Sequence, residues 1–462
     1  MCDSRLTATV TLTPRGGIPL LRPTGEPTAT AARHPLRVLY LSWRDRENPE
    51  AGGSETFVER TSQVLTELGH DVTLFTSRFP GAATETAHDD VRVLRRGNRF
   101  TCYAHGLAHV ARHRHDYDIV IDVQNGVPFW APLAAKAPVV NVVHHVHRDQ
   151  WKVIFGRALG QVGWLLESRI APRVYRRSRY VTVSKATRDD LGSLGVPADR
   201  VDLIYSGNDH PEDLDAYADV PRTPHPSMVV LGRLVPHKQV ETAIDIVADL
   251  SAEHPDLRLD IVGTGYWEDR LRAHAADRGV ADRVTFRGFV DEPTKHTLLA
   301  QSWLMLVPSH KEGWGLIIVE AGLHSTPSVA FAHAGGPSES IQHGRTGLLA
   351  RDAAEMTHQV DHLLRSNSLR TRLGAGARAH ARSFDWAVSG ALLSHTLGSV
   401  LGHVDRLPQA PSQPLSLTPV EDLVHEPEHR AGHENDALLP VVDEALLDEL
   451  DGLGSGSLQG TH

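Results

Sequence analysis

Cysteine is nearly absent. Cys2 and Cys102 are the only two in 462 residues, too few for a disulfide framework, and a reducing, cytoplasmic compartment is the simplest expectation. No run of about 18 apolar residues occurs, so no spanning helix is expected. The N-terminus lacks the charged, apolar and small-residue succession of a signal peptide. A basic surplus is missing too. From Pro411 onward there are eleven Asp or Glu and one basic residue, Arg430, so the tail carries the whole net charge of −10 and residues 1–410 are close to neutral. Nucleic acid is therefore not an expected partner. The remaining composition, 40% hydrophobic and 23% charged, is ordinary for a globular protein, and the length suits two or three domains.

Residues 1–34 are rich in Thr, Pro and Gly, and residues 405–462 are acidic and rich in Pro, Ser and Gly. Both read as disordered extensions, with a short helix around 441–450 that could grip a partner. Between them, apolar runs alternate with helical periodicity. Strands are expected at 36–43, 72–76, 117–123, 138–143, 180–183 and 201–205, with helices at 54–68, 151–177 and 185–194. Residues 208–226 are polar, hold four prolines and read as a linker. A second series follows, with strands at 228–231, 257–262, 284–286, 303–307 and 328–331. The fold class is α/β, with two Rossmann-like domains (35–207 and 227–385) facing across a cleft and a C-terminal helix at 386–404. Ligands in such sheets bind beyond the carboxyl ends of the strands.

The densest chemistry lies in Ser309-His310-Lys311-Glu312-Gly313-Trp314-Gly315-Leu316-Ile317-Ile318-Val319-Glu320. This stretch follows an expected strand and opens an expected helix. Its glycines let backbone N–H groups approach an anion, and a helix N-terminus carries about half a positive charge. A phosphate can rest near Gly315 and Leu316, with Glu312 on one side. Glu320 lies about 7 Å further along the helix axis, at the far end of a ligand of nucleotide size. Arg233 and Lys238, directly after the first strand of the second series, can clamp a diphosphate or can be solvated surface cations. Gly52-Gly53-Ser54 is either a second phosphate loop or a flexible turn with Ser54 as cap.

Other signals are weaker. Gly263-Thr264-Gly265 lacks the third glycine of a dinucleotide fingerprint. His144, His145 and His147 follow a strand end. They read as a metal site, as one cleft histidine with structural neighbours, or as plain structure, and no metal is expected. Asp116-Tyr117-Asp118 begins a strand rather than ending one and reads as turn chemistry. Residues 151–179 mix large apolar residues with arginines. That pattern suits a core-facing helix or a basic amphipathic face for an anionic membrane, which would place the protein peripherally at the inner face of the membrane.

These pieces, taken in order from about Arg37 to Arg382, resemble the family 4 retaining glycosyltransferases of the GT-B fold. Glu312 to Glu320 looks like the family's E-x7-E element. Gly232-Arg233 with Lys238 is similar to its glycine–arginine and lysine segment. Gly335-Gly336-Pro337-Ser338-Glu339, Gly344-Arg345-Thr346-Gly347, Val183-Ser184 and Gly52-Gly53 resemble further signatures. One departure stands before the linker, where Ser206-Gly207-Asn208-Asp209 replaces the frequent Asn-Gly-x-Asp and bears on the hinge.

The resemblance implies a hexosyltransferase that uses a nucleoside diphosphate sugar (GDP- or UDP-sugar) as co-substrate, with no bound cofactor and no metal. Arg233 and Lys238 would bind the diphosphate, Glu320 the ribose, and Glu312 the transferred sugar. Gly315, Leu316 and Ile317 would contact sugar and phosphate, Gly52 and Gly53 would face the donor, and Val290 would meet the base. His144 would contact the sugar, with His145 as its nearest rival. The acceptor, on the first domain, could be a saccharide, lipid or metabolite. A sugar phosphorylase of the same fold and a non-catalytic sugar-nucleotide-binding protein are the rival expectations.

Overall fold

The computed structural model describes residues 35–404 apart from 149, 212 and 213. Both terminal extensions, and the short helix expected at 441–450, lie outside the described residues. The first sheet holds β1 (Arg37–Leu41), β2 (Asp71–Thr76), β3 (Glu85–His88), β4 (Val91–Arg95), β5 (Ile119–Gln124), β6 (Val139–Val143), β7 (Arg179–Thr182) and β8 (Val201–Leu203), in the order β3-β4-β2-β1-β5-β6-β7-β8. The second holds β9 (Ser227–Leu231), β10 (Arg258–Val262), β11 (Val284–Gly288), β12 (Leu304–Val307), β13 (Ser328–Phe331) and β14 (Gly347–Ala350), in the order β11-β10-β9-β12-β13-β14. Runs such as Val139–Val143 and Leu304–Val307 are buried along their whole length, as strands covered on both faces must be. β3 pairs antiparallel with β4, whereas the central pairs β1–β2, β1–β5, β9–β10 and β9–β12 are parallel.

The helices are α1 (Gly53–Glu67), α2 (Cys102–Arg112), α3 (Gln150–Leu165), α4 (Ala171–Val174) and α5 (Lys185–Ser193) in the first half. The second half has α6 (Val240–Asp249), α7 (Glu268–Asp277), α8 (Glu292–Gln301), α9 (Leu316–Leu323), α10 (Pro337–Ser340), α11 (Ala353–Arg365) and α12 (Asn367–Ala381). A last helix, α13 (Trp386–Val400), returns to the first half and packs along α1. Its Ser389 hydroxyl donates to the Tyr205 carbonyl at 2.7 Å. One apolar cluster consequently runs from Val38, Tyr40 and Phe57 under the first sheet to Trp314, Phe384 and Leu393. The expected linker is anchored rather than loose, because Arg222 donates to the carbonyls of His324 (2.9 Å) and Ser325 (2.7 Å).

Two expectations are corrected. The helix expected over 151–177 is broken at Gly156 (φ +71°), and a π-turn at Leu166–Ile170 separates α3 from α4. The Trp151 ring lies against Gly163, where a side chain would come within 2.3 Å of it. A straight helix would hold those two residues about 18 Å apart. The strands β3, β4 and β14, which no apolar run announced, complete the sheet edges.

In each sheet the chain starts centrally and steps outward in both directions. β9 therefore lies between β10 and β12, and β1 between β2 and β5. The loops after β9 and β12 diverge at such a switch point, where a crevice opens.

Candidate active site

Lys238 closes a short turn at Pro236–Lys238 after β9, and its Nζ lies 2.5 Å from Glu312 Oε1. The Glu312 backbone is fixed at both ends: its N–H donates to Ala334 O (2.7 Å), and its carbonyl accepts from Gly336 N (3.1 Å). Burial alone would raise the Glu312 carboxyl. The charge and hydrogen bond of Lys238, with a hydrogen bond from Ser309, outweigh burial and hold it below the usual range. Arg233 is half-buried, and among the described residues its guanidinium has no ion-pair partner. Burial, then the nearby Arg44, lowers its pKa from the ordinary arginine value.

Gly315 caps α9 with φ +90°, a conformation that suits glycine, and a Cβ there would sit 2.8 Å from Ile318 Cδ1. No side chain caps this helix start. The first backbone donors of α9 are thus left without a side-chain cap among the described residues, and Ile317 lines the crevice with Gly232, Arg233, Lys238 and Ser309. The first half closes over it. A Cβ on Gly53 would lie 3.2 Å from Leu316 Cδ1, and one on Gly52 would lie 4.0 Å from Arg233 Nε. Behind the glycine pair, Glu55 accepts from Gly52 N (2.8 Å) and from Arg44 Nε (3.2 Å). Arg44 stacks on Trp43, and among the described residues its buried Nη1 has no hydrogen-bond partner, with Glu50 Oε2 in ion-pair range at 3.5 Å.

Glu320 stands in the second turn of α9. It pairs with Lys295 of α8 at 3.1 Å, and Lys295 also meets Glu292 at 2.7 Å. Val290, just before α8, packs with Leu231 and Ile317 against one apolar cluster. The loop before α8 and the second turn of α9 thus form the end of the crevice away from Glu312.

His144 follows β6. A side chain on Gly313 would come within 2.7 Å of the His144 carbonyl, so the histidine lies against the Glu312 loop. The ring is buried, and among the described residues its Nε2 has no hydrogen-bond partner. Burial, helped by His147, pushes its pKa down to about 4, so it is neutral near pH 7. His145 bonds Gln150 (3.1 Å) and His147 bonds Glu167 (3.1 Å). Among the described residues no group of three or more His, Cys, Asp or Glu is placed to hold a metal ion. Asp116 and Asp118 are occupied by His113 (2.7 Å) and Arg37 (2.8 Å). No described helix is long and apolar enough to cross a membrane.

The geometry gathers Arg233, Lys238, Glu312, Gly315, Leu316, Ile317, Gly52, Gly53 and His144 around one crevice, with Glu320 and Val290 at its far end. Comparison with known proteins identifies the family. The family model described as "Glycosyltransferase Family 4" matches residues 51–211, and that described as "Glycosyl transferases group 1" matches residues 219–380. The chain belongs to the family 4 glycosyltransferases. It is similar to the glycogen synthase of Mycobacterium tuberculosis, 26% identical over 393 residues, covering 76% of this chain and 92% of that one. It is also similar to the GDP-mannose-dependent alpha-(1-6)-phosphatidylinositol monomannoside mannosyltransferase of the same organism, at 29% over 367 residues, 71% of this chain and 90% of that one. The structure of Anabaena HepE with UDP-glucose superposes with a TM-score of 0.63 at 20% identity, covering 79% of this chain and all of that one. The fold is thus GT-B, and a glycosyltransferase acting on nucleotide sugars is the activity of the family.

Two neighbours of the crevice, Arg44 and Lys295, escaped the sequence reading, and two more, Glu55 and Glu339, entered it only as members of motifs, with no contact assigned to them. Arg44 follows the end of β1 by three residues, a strand-end position that could have marked it. Glu339 reaches the first half through space. Its carboxylate accepts from Lys185 N and Ala186 N, both at 2.9 Å, and from the Tyr205 hydroxyl at 2.9 Å.

Proposed function

We propose that this glycosyltransferase moves a hexose from a GDP- or UDP-sugar to an acceptor hydroxyl with retention of anomeric configuration. The single observation that carries the reading is the Lys238–Glu312 pair at 2.5 Å beside an Arg233 that has no acid partner among the described residues, and an uncapped helix start. A diphosphate between Arg233, Lys238 and the Leu316 and Ile317 N–H groups meets donors placed before charge develops on it. Glu320 takes the ribose hydroxyls and exchanges contacts with Lys295. Val290 meets the base, and Gly52 and Gly53 face the donor from the first half. Glu312 and His144 Nε2 contact the sugar.

Retention is favoured by which groups can act as base. Glu312 is held low by Lys238, and a neutral His144 with pKa about 4 is a poor proton acceptor. The departing phosphate is then the strongest base near the acceptor. It takes the acceptor proton on the face it leaves, as the C1–phosphate bond breaks and the C1–acceptor bond forms. Closure of the halves limits hydrolysis.

The test is a thermal-shift panel of nucleotides and nucleotide sugars, followed by determination of the product's anomeric configuration. A ligand at 100 times its dissociation constant adds about 2.7 kcal/mol of stability. Stabilisation by a nucleoside diphosphate, with a product of the donor's own anomeric configuration, supports the reading. No shift with any nucleotide overturns the donor site, and an inverted product overturns retention alone.

A further inference from the structure

Arg44 is a cation of the first half, three residues after β1, with a side chain only 6% exposed. Its backbone is fixed from both sides. The Ser42 hydroxyl donates to the Arg44 carbonyl at 2.8 Å, and the buried Arg95 holds the next residue, Asp45, at 2.5 Å. The guanidinium is held as well. It stacks on Trp43, and its Nε donates to Glu55 Oε1 at 3.2 Å. Glu55, 1% exposed, accepts with its other oxygen from Gly52 N at 2.8 Å.

A buried Arg–Glu pair can serve simply to anchor a turn. Two observations go further. Such a pair is favourable only where its remaining donors are satisfied. Yet Nη1 of Arg44 is buried with no hydrogen-bond partner among the described residues. Glu50 Oε2 stands in ion-pair range at 3.5 Å, but that side chain is mostly exposed and leaves the hydrogen bond unmade. The second observation is the place. A Cβ on Gly52 would lie 3.8 Å from Glu55 Oε2 and 4.0 Å from Arg233 Nε, so the buried pair of the first half and Arg233 of the second flank the same glycine. The Arg44 charge reaches that far, being the second cause, after burial, of the lowered Arg233 pKa. Glu55 is already shared between Arg44 and Gly52, and Glu312 is held by Lys238. A phosphate at the glycine pair would meet one arginine fork from each half.

We propose that Arg44 is a catalytic residue supplied by the first half, whose Nη1 donates to the sugar-side phosphate of the donor. The proposal rests on the donor reading above and extends it. The base and ribose lie toward Val290 and Glu320, so the phosphate nearest the first half is the one bonded to C1. When the C1–oxygen bond breaks, its electron pair stays on that phosphate, and a guanidinium already in place stabilises the charge. Arg44 and Arg233 then hold one group from opposite halves, which ties closure of the cleft to the presence of the diphosphate.

The experiment uses the full chain, UDP or GDP (whichever stabilises it) and the matching monophosphate. Arg44→Ala leaves Glu55 buried without its partner, so a second variant, Arg44→Met with Glu55→Gln, removes both charges together. In both variants calorimetry should show the diphosphate bound about tenfold more weakly, the scale of a lost charge-assisted hydrogen bond. Monophosphate affinity should change by less than about twofold, which also shows that the variants fold. The donor kcat should fall by on the order of 10², with a smaller rise in KM. Arg44→Lys, which keeps the charge without the fork, should recover part of kcat. Parallel weakening of monophosphate and diphosphate, or diphosphate affinity and kcat both unchanged, overturns the proposal and leaves Arg44 as a turn anchor. Failure of the unaltered chain to bind either diphosphate strikes the donor reading itself, and the proposal with it, so the two failures remain distinct.

Discussion

Two helices begin at the cleft, α5 and α9, and they are treated in opposite ways. At α5 every early donor is provided for by the protein itself. Ser184 Oγ accepts from Thr187 N at 3.1 Å, and Glu339, from the other half, accepts from Lys185 N and Ala186 N at 2.9 Å. At α9 the capping residue is Gly315, which has no side chain to offer. Each helix start carries the same partial positive charge. At α5 it fastens the two halves together, whereas at α9 it is left for something that arrives. The acid nearest to α9, Glu312, does not satisfy the helix start either, because Lys238 holds it. The sheets provide equivalent positions, and the side chains decide which becomes a latch and which a receptor.

The largest expected effect lies at the open start. Arg233→Ala and Lys238→Ala should each lower turnover by roughly 10²–10³ while leaving the fold intact, the usual loss when a preorganised donor is removed. Steady-state kinetics with circular dichroism as control checks this. The lysine variant should have a second consequence. Without Lys238, burial dominates at Glu312 and its carboxyl should titrate higher, so the residual activity should require a higher pH than that of Arg233→Ala. Near-normal turnover in both variants would mean that α9 is no receptor.

At the closed start the balance should reverse. Glu339→Gln places an amide where two backbone donors and the Tyr205 hydroxyl now find a carboxylate. A cost of about 1–3 kcal/mol in unfolding free energy is expected, read by denaturant titration. Turnover should fall far less than in Arg233→Ala. Unchanged stability with lost nucleotide binding would show that α5 is itself a ligand site and would dissolve the contrast.

Gly315→Ala sharpens the comparison from the backbone side. Its φ of +90° and the 2.8 Å approach to Ile318 Cδ1 should together cost about 1–2 kcal/mol. The misplaced N–H groups should weaken nucleotide binding, seen as a smaller thermal shift. The same substitution at Gly195, which also has positive φ but has open space around it, should cost stability without touching nucleotide affinity.

This contrast was only half legible in the sequence. The open start was readable because strand, glycines, acids and helix lie within one stretch, residues 303 to 320. Both parallel sheets could be read too, since their central strands are continuous apolar runs. The closed start was hidden, because Glu339 and Lys185 are 154 residues apart and meet only once both halves have folded. Arg44 and Lys295 escaped for the same reason: a lone cation in a polar loop or on a helix acquires meaning from its partner, and Glu55 and Glu320 are reached through space. The broken helix after residue 150 was misread because glycine and Pro172 interrupt a pattern whose apolar spacing stays helical. Strands β3, β4 and β14 are four or five residues each, too short for a period to show.

The smallest effect tests the hinge between the two starts. His144 accepts from Thr187 Oγ1 of α5 at 2.9 Å through its carbonyl and lies against Gly313 just ahead of α9. Its ring titrates near 4 in the folded chain and near 6.5 when unfolded. Between those values the unfolded chain binds more protons, so stability is complete above about pH 6.5 and falls as pH drops toward 4. One such group contributes a slope of at most about 1.4 kcal/mol per pH unit. His237, His296 and His380 are pushed down to about 4 by burial as well, so the acid limb of the whole protein should be steeper than one histidine allows. His144→Gln should remove one proton's worth of that limb in denaturant titrations at pH 5 and pH 7, and leave the rest. An unchanged slope would mean that the ring is already solvated when the cleft is free of ligand, and that its orphaned Nε2 is not held in reserve for the sugar.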